Sequence, residues 1–224
     1  MSGRDFSDVL LLIPCCASKN GHTKTTGRGR APAVGSTVLE PHLSSPAGAL
    51  LEEGRRLVAE KYADRFDFGS PLLPAMVLYT GNPYKLPGFR AALDGAFEGG
   101  LRCLIVSAGY GLLRPDEPIH KYNLQMAQTL PKWKRRLPEI LADYISRNGV
   151  MRVFAALSRK YFEAVADVGS LPPAEYWRCV PLYDPRAGGS AMKQVPEALG
   201  RAVIDLIASD FEPDSRWSRG WNGE

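Results

Sequence analysis

The chain has 224 residues, a formal net charge of +4 and a pI near 8.9. Its 45% hydrophobic content supplies a full core and excludes a disordered polymer. No apolar run approaches the roughly 20 residues that span a bilayer, and no charged-then-apolar leader precedes a small-residue cleavage site. The expectation is therefore a cytoplasmic protein with no membrane partner, one domain over residues 1–210, and a polar tail over 211–224.

Val9–Ile13 is an unbroken aliphatic run ended by Pro14, as in a strand buried on both faces. It leads into Cys15-Cys-Ala-Ser-Lys-Asn20, which gathers two thiols, a hydroxyl, a cation and an amide. Residues 20–36 are rich in Gly, Thr, Lys and Arg without apolar periodicity. They read as a basic flexible loop, either a ligand-closing segment or a plain insertion. Pro46–Tyr62 has helical spacing at Leu50, Leu51, Leu57, Val58 and Tyr62, with Ser44 or Ser45 as cap. Pro74–Tyr79 reads as a strand running into the turn-rich Thr80–Tyr84. Phe89–Glu98 reads as a helix stopped by Gly99-Gly100.

Cys103–Val106 is the next buried strand, breaking at Ser107-Ala-Gly-Tyr-Gly111 into a polar loop that holds Asp116, Glu117, His120, Lys121, Tyr122 and Asn123. Leu130–Arg147 carries one apolar helical face, with Pro138 requiring two helices or a kink. A strand at Val150–Leu157, a helix from Ser158 through Val168, a strand at Trp177–Leu182 and a closing helix at Met192–Ser209 complete the pattern. Alternating strands and helices predict an α/β fold, a single-domain sandwich of three layers with a mostly parallel central sheet. Such a sheet collects strand-end loops on one edge, where ligands bind.

Cys15, Cys16, Cys103 and Cys179 lack zinc-ligand spacing, so no metal is expected. There is no P-loop and no dinucleotide fingerprint, and no cofactor is expected. Two basic clusters stand out. Lys19, Lys24, Arg28 and Arg30 share the first; Lys132, Lys134, Arg135 and Arg136 surround Trp133 in the second. Basic residues interleaved with an aromatic suit a nucleic-acid backbone, and a solvated helix face is the alternative for the second cluster.

Ile13-Pro-Cys-Cys-Ala-Ser-Lys19, Leu78-Tyr-Thr-Gly81, Ile105-Val-Ser-Ala-Gly-Tyr-Gly-Leu-Leu-Arg-Pro-Asp116 with Ile119-His-Lys-Tyr122, and Val180-Pro-Leu form one ordered series. That series resembles the bacterial and phage domain related to YaaA and to the C-terminal part of archaeosine synthase. This group is distantly similar in fold to the uracil-DNA glycosylases. Within it the chain looks most like prokaryotic antiviral DNA glycosylases, which excise glucosylated hydroxymethylcytosine from phage DNA and leave abasic sites. The resemblance implies phage DNA as partner and no obligate protein partner. Two departures touch the implied site: Gly109 stands where the family usually has Lys, and Asn123 where it often has an acid.

Breaking an N-glycosidic bond builds positive charge on the sugar and negative charge on the leaving base. On that chemistry Asp116 is the first choice for the carboxylate, Glu117 the second, and Asn123 positions water. Lys19 or protonated His120 stabilises the departing base. Tyr84, Tyr110 and Tyr122 are candidates to stack on an everted base, with packing in the core as the alternative for each. Cys15, Ser18 and Ser107 line the expected pocket, and Gly109 and Gly111 leave space for a bulky base. Lys24, Arg28, Arg30, Lys134, Arg135, Arg136 and Arg186 are expected on phosphates. Binding of DNA without catalysis, and a modified-nucleoside transferase, are the competing readings.

Overall fold

The computed structural model describes residues 4–19, 39–166, 172–181 and 190–221. In chain order the strands and α-helices are β1 (Val9–Pro14), α1 (Ser45–Lys61), β2 (Phe66–Asp67), β3 (Leu73–Pro74), α2 (Ala75–Leu78), α3 (Phe89–Glu98), β4 (Arg102–Ser107) and β5 (Gly111–Leu113). There follow β6 (Pro118–Ile119), β7 (Lys121–Tyr122), α4 (Met126–Trp133), α5 (Leu137–Arg147), β8 (Arg152–Ala155), α6 (Arg159–Glu163), β9 (Glu175–Cys179), α7 (Ala191–Ala208) and β10 (Trp217–Arg219).

The fold is mixed α/β, built on a six-stranded, mostly parallel sheet in the order β10-β9-β8-β1-β4-β5. β1 lies at its centre because every one of its side chains is apolar and buried. It pairs in parallel with β4 and β8, Leu11 standing opposite Cys103 on one side and Phe154 on the other. Only the two edge strands run antiparallel, β5 against β4 and β10 against β9. Helices α1, α4 and α5 pack together, and α3 packs on α7. The expected cap of α1 is present, Ser44 Oγ accepting from Ala47 N at 3.4 Å.

Pro138 separates two helices: α4 ends at Trp133, and Pro138 occupies the first turn of α5, where a missing N–H costs nothing. The expected strand at Pro74–Tyr79 is instead a two-residue strand and one helical turn. An apolar run that short does not distinguish the two by periodicity. Tyr79 forms only an isolated bridge with Lys19. The tail expected to be polar contains a strand. β10 completes the sheet edge, and Phe211, Trp217 and Trp221 are buried.

Trp133 corrects a second expectation. It is fully buried rather than standing among the lysines, and its indole N–H donates to Ala108 O at 2.9 Å. Two glycines make room for it. A Cβ at Gly54 would come within 2.5 Å of its ring and one at Gly111 within 2.7 Å. Gly109 likewise faces the Tyr122 ring, at 3.0 Å. The space left by Gly109 and Gly111 is thus filled by the protein's own rings, not kept for a base.

Candidate active site at the carboxyl edge

The parallel strands β1, β4 and β8 end on one edge, and the chemistry gathers where β1 stops. Cys15 N still donates to Val106 O at 2.9 Å, after which the chain leaves the sheet. The turn is pinned by Cys16, whose thiol donates to Ser18 O at 2.9 Å and accepts from Gly81 N at 3.2 Å. Cys15 Sγ lies 3.1 Å from the hydroxyl of Tyr161 in α6, the helix that follows β8. A cavity of about 480 Å³ opens over this turn, lined among others by Cys15, Cys16, Ser18, Lys85, Lys160 and Lys193. Among the described residues no aspartate or glutamate lines it. Glu163 and Glu197, which do not line it, interact with its lysines. Glu163 binds Lys160 at 2.7 Å, and Glu197 is held below the usual carboxylate range by Arg201, with Lys193 and Lys85 adding to the effect.

Lys19 sits behind the turn. Its ammonium donates to Cys16 O at 2.9 Å and lies 4.0 Å from the centre of the Tyr122 ring. Burial lowers its pKa, partly offset by the neighbouring thiols. Beneath it is a sealed hydroxyl cluster. Tyr122 OH is 2.8 Å from Tyr79 OH and 2.9 Å from Ser107 Oγ, which accepts from Tyr110 N at 3.1 Å. Desolvation pushes Tyr79, Tyr122, Tyr84 and Tyr161 well above the usual phenol value. It also raises the Cys16, Cys103 and Cys179 thiols, the last to about 11.

These shifts have a sign. The unfolded chain loses its thiol protons from about pH 9 and its phenol protons near pH 10, while the folded protein retains them. Stability is therefore expected to be full below about pH 9 and to fall above it. Lys19, whose pKa burial lowers, acts in the opposite direction. Thermal denaturation from pH 8 to 11 checks this; a stability that rises through that range contradicts it.

The structure brings together Cys15, Ser18, Lys19, Tyr122 and Ser107, but only Cys15 and Ser18 line the cavity. The tyrosines expected to stack on a base are packed into the protein instead. Tyr84, Tyr110 and Tyr122 are buried; Tyr84 donates to Pro14 O at 2.8 Å, and Tyr110 meets Tyr122 edge-on at 5.5 Å. His120 is half-buried, its Nδ1 2.8 Å from Ser70 O, so that nitrogen carries the proton. Asn123 is exposed, and its backbone N–H donates to Arg65 O.

Asp116 is elsewhere. It is 58% exposed and held by Arg114, Oδ1 to Nε at 3.0 Å and Oδ2 to Nη2 at 3.2 Å. It lines a second cavity beside Arg102 and Cys103, at the start of β4. Ser107 ends the same strand, roughly 16 Å away at the rise of a β-strand. The cause is β5, which runs back antiparallel along β4 and carries the chain to the opposite edge before Asp116 is reached. Glu117, the second choice, is sealed in an ion pair with Arg55 at 2.7 Å. We expect Asp116→Asn to change stability by less than about 1 kcal/mol, as for other exposed pairs, and to leave any base release intact. A denaturation curve and a base-release assay on the same variant check both; abolished release would contradict this placement.

Lys134 and Arg135 are exposed between α4 and α5, and Arg136 is paired with Glu53 at 3.2 Å. Met126, at the other end of α4, lines the carboxyl-edge cavity, so this cluster stands about 10 Å along the helix from it. Lys24, Arg28, Arg30 and Arg186 lie outside the described residues. The cavity lysines were missed by sequence reasoning. The only signal was for Lys160, within the strand-end segment Ser158–Tyr161. No protein-family model matches the chain, and no curated protein matches it.

Proposed function

We propose that the chain is a DNA N-glycosylase of uracil-DNA-glycosylase-like fold. It would act on a modified base, glucosylated hydroxymethylcytosine in phage DNA, as antiviral defence. The carboxyl-edge cavity would receive the everted nucleotide. The observation that carries this reading is the cavity's charge: three lysines on three separate segments and no lining carboxylate among the described residues. That suits a ligand bearing phosphates on both sides, and about 480 Å³ lies in the range of small-molecule sites.

With no carboxylate among the described lining residues, catalysis on this reading rests on the departing base rather than on a strongly activated water. The C–N bond breaks, its electron pair leaves with the base, and water oxygen bonds to the sugar carbon. Lysine ammoniums stabilise the departing anion, which takes up a proton as the water gives one up.

The test is incubation with phage DNAs carrying glucosylated, hydroxymethylated or unmodified cytosine, scoring released base and abasic sites. Release from glucosylated DNA alone is expected. Tight binding to every DNA with no release from any would favour binding without catalysis. That second reading has one observation on its side, the position of Asp116 on the opposite edge. Turnover of free nucleosides without DNA would favour a transferase.

A further inference from the structure

We propose that the cavity at the amino edge of the sheet is a second ligand site, built for a compact aromatic carboxylate that binds Arg102. This cavity measures about 620 Å³ and is bounded by the start of β4, by α3, by α5 and by the segment after β5. Its walls are largely apolar, with Pro74, Met76, Phe97 and Tyr144 facing it.

One wall is fixed. Arg114 can only donate, so His42 Nε2, 2.6 Å from Arg114 Nη1, must be the acceptor. The His42 proton is therefore on Nδ1, which donates to Asn148 Oδ1 at 3.2 Å. Arg114 in turn binds both carboxylate oxygens of Asp116. Histidine, arginine and aspartate saturate one another and need no ligand.

Arg102 differs. Its side chain is half-buried and lines the cavity, and its Nη1, shut off from water, has no hydrogen-bond partner. A guanidinium short of acceptors gains a charge-assisted hydrogen bond from a carboxylate that meets the part of it facing the cavity. The exposed Asp94 lies at the rim of the same cavity, so a ligand with an N–H at its far end meets an acceptor there. Charge at one end, an apolar ring in the middle and a donor at the other describe an aromatic carboxylate such as indole-3-carboxylate.

The experiment titrates the full chain with indole-3-carboxylate, and with indole-3-carboxamide as the uncharged control, following backbone amide NMR shifts. Saturable shifts at Leu101, Arg102, Cys103 and Arg114 with the carboxylate are expected, with the carboxamide binding about 10- to 100-fold more weakly, as loss of a charge-assisted hydrogen bond predicts. Arg102→Met should weaken the carboxylate by a similar factor and leave the carboxamide unchanged. Equal binding of the two compounds, shifts centred on Ser18 and Lys160 instead, or no saturable shift with either overturns the proposal. The wild-type comparison decides the matter even if Arg102→Met does not fold.

Discussion

Replacing Glu117 with alanine is expected to cost about 3–5 kcal/mol of stability, the usual result of stranding one partner of a buried ion pair. Arg55 is 2% exposed and Glu117 3%, and each of the three Arg55 guanidinium nitrogens donates one hydrogen bond. Its Nη1 donates to Glu117 at 2.7 Å, its Nε to Tyr110 O at 2.9 Å and its Nη2 to Leu112 O at 2.7 Å. The two carbonyls flank Gly111, so the pair clamps the turn by which β5 folds back on β4. Removing the carboxylate leaves a buried cation with only neutral partners. Urea denaturation measures the loss. The double change Arg55→Met with Glu117→Leu should recover much of it, because it removes both charges. A loss below about 1 kcal/mol for Glu117→Ala would mean the site is wetter than its burial implies.

Gly111→Ala is expected to cost about 2–5 kcal/mol, from two separable causes. Gly111 has φ +74°, the left-handed region, where a Cβ costs about 1–2 kcal/mol. The new methyl would also press on Trp133 at 2.7 Å, and overpacking a rigid core typically costs about 1–3 kcal/mol. Gly149 provides the control. It has φ +63°, but nothing lies within 4 Å of the place its methyl would take, so Gly149→Ala carries the backbone cost alone. Equal losses at the two positions would show that Trp133 yields freely.

The strands of the parallel core were legible because a doubly covered strand must be apolar along its length, and Val9–Ile13 and Cys103–Val106 are. The gathering of Cys15, Ser18, Lys19 and Ser107 at one edge was legible for a related reason: parallel strands bring their following loops together. What was not legible was the direction taken by the segment after Ser107. Nothing in Gly111-Leu-Leu113 says that it pairs antiparallel with β4 and delivers Asp116 to the far edge. Nor does sequence alone distinguish a glycine that admits a ligand from one that admits a tryptophan. Lys85, Lys160 and Lys193 come from segments distant in sequence, and only tertiary packing makes them one cavity.

The most direct test of a phosphate-binding cavity at the carboxyl edge is the salt dependence of DNA affinity for the wild-type chain and for a Lys85→Ala, Lys160→Ala, Lys193→Ala variant. Each lost phosphate contact lowers the slope of log K against log salt by about 0.7–0.9, so the three together should lower it by about 2–3. The account predicts that drop, with affinity falling most at low salt. An unchanged slope and affinity in a folded variant would contradict it.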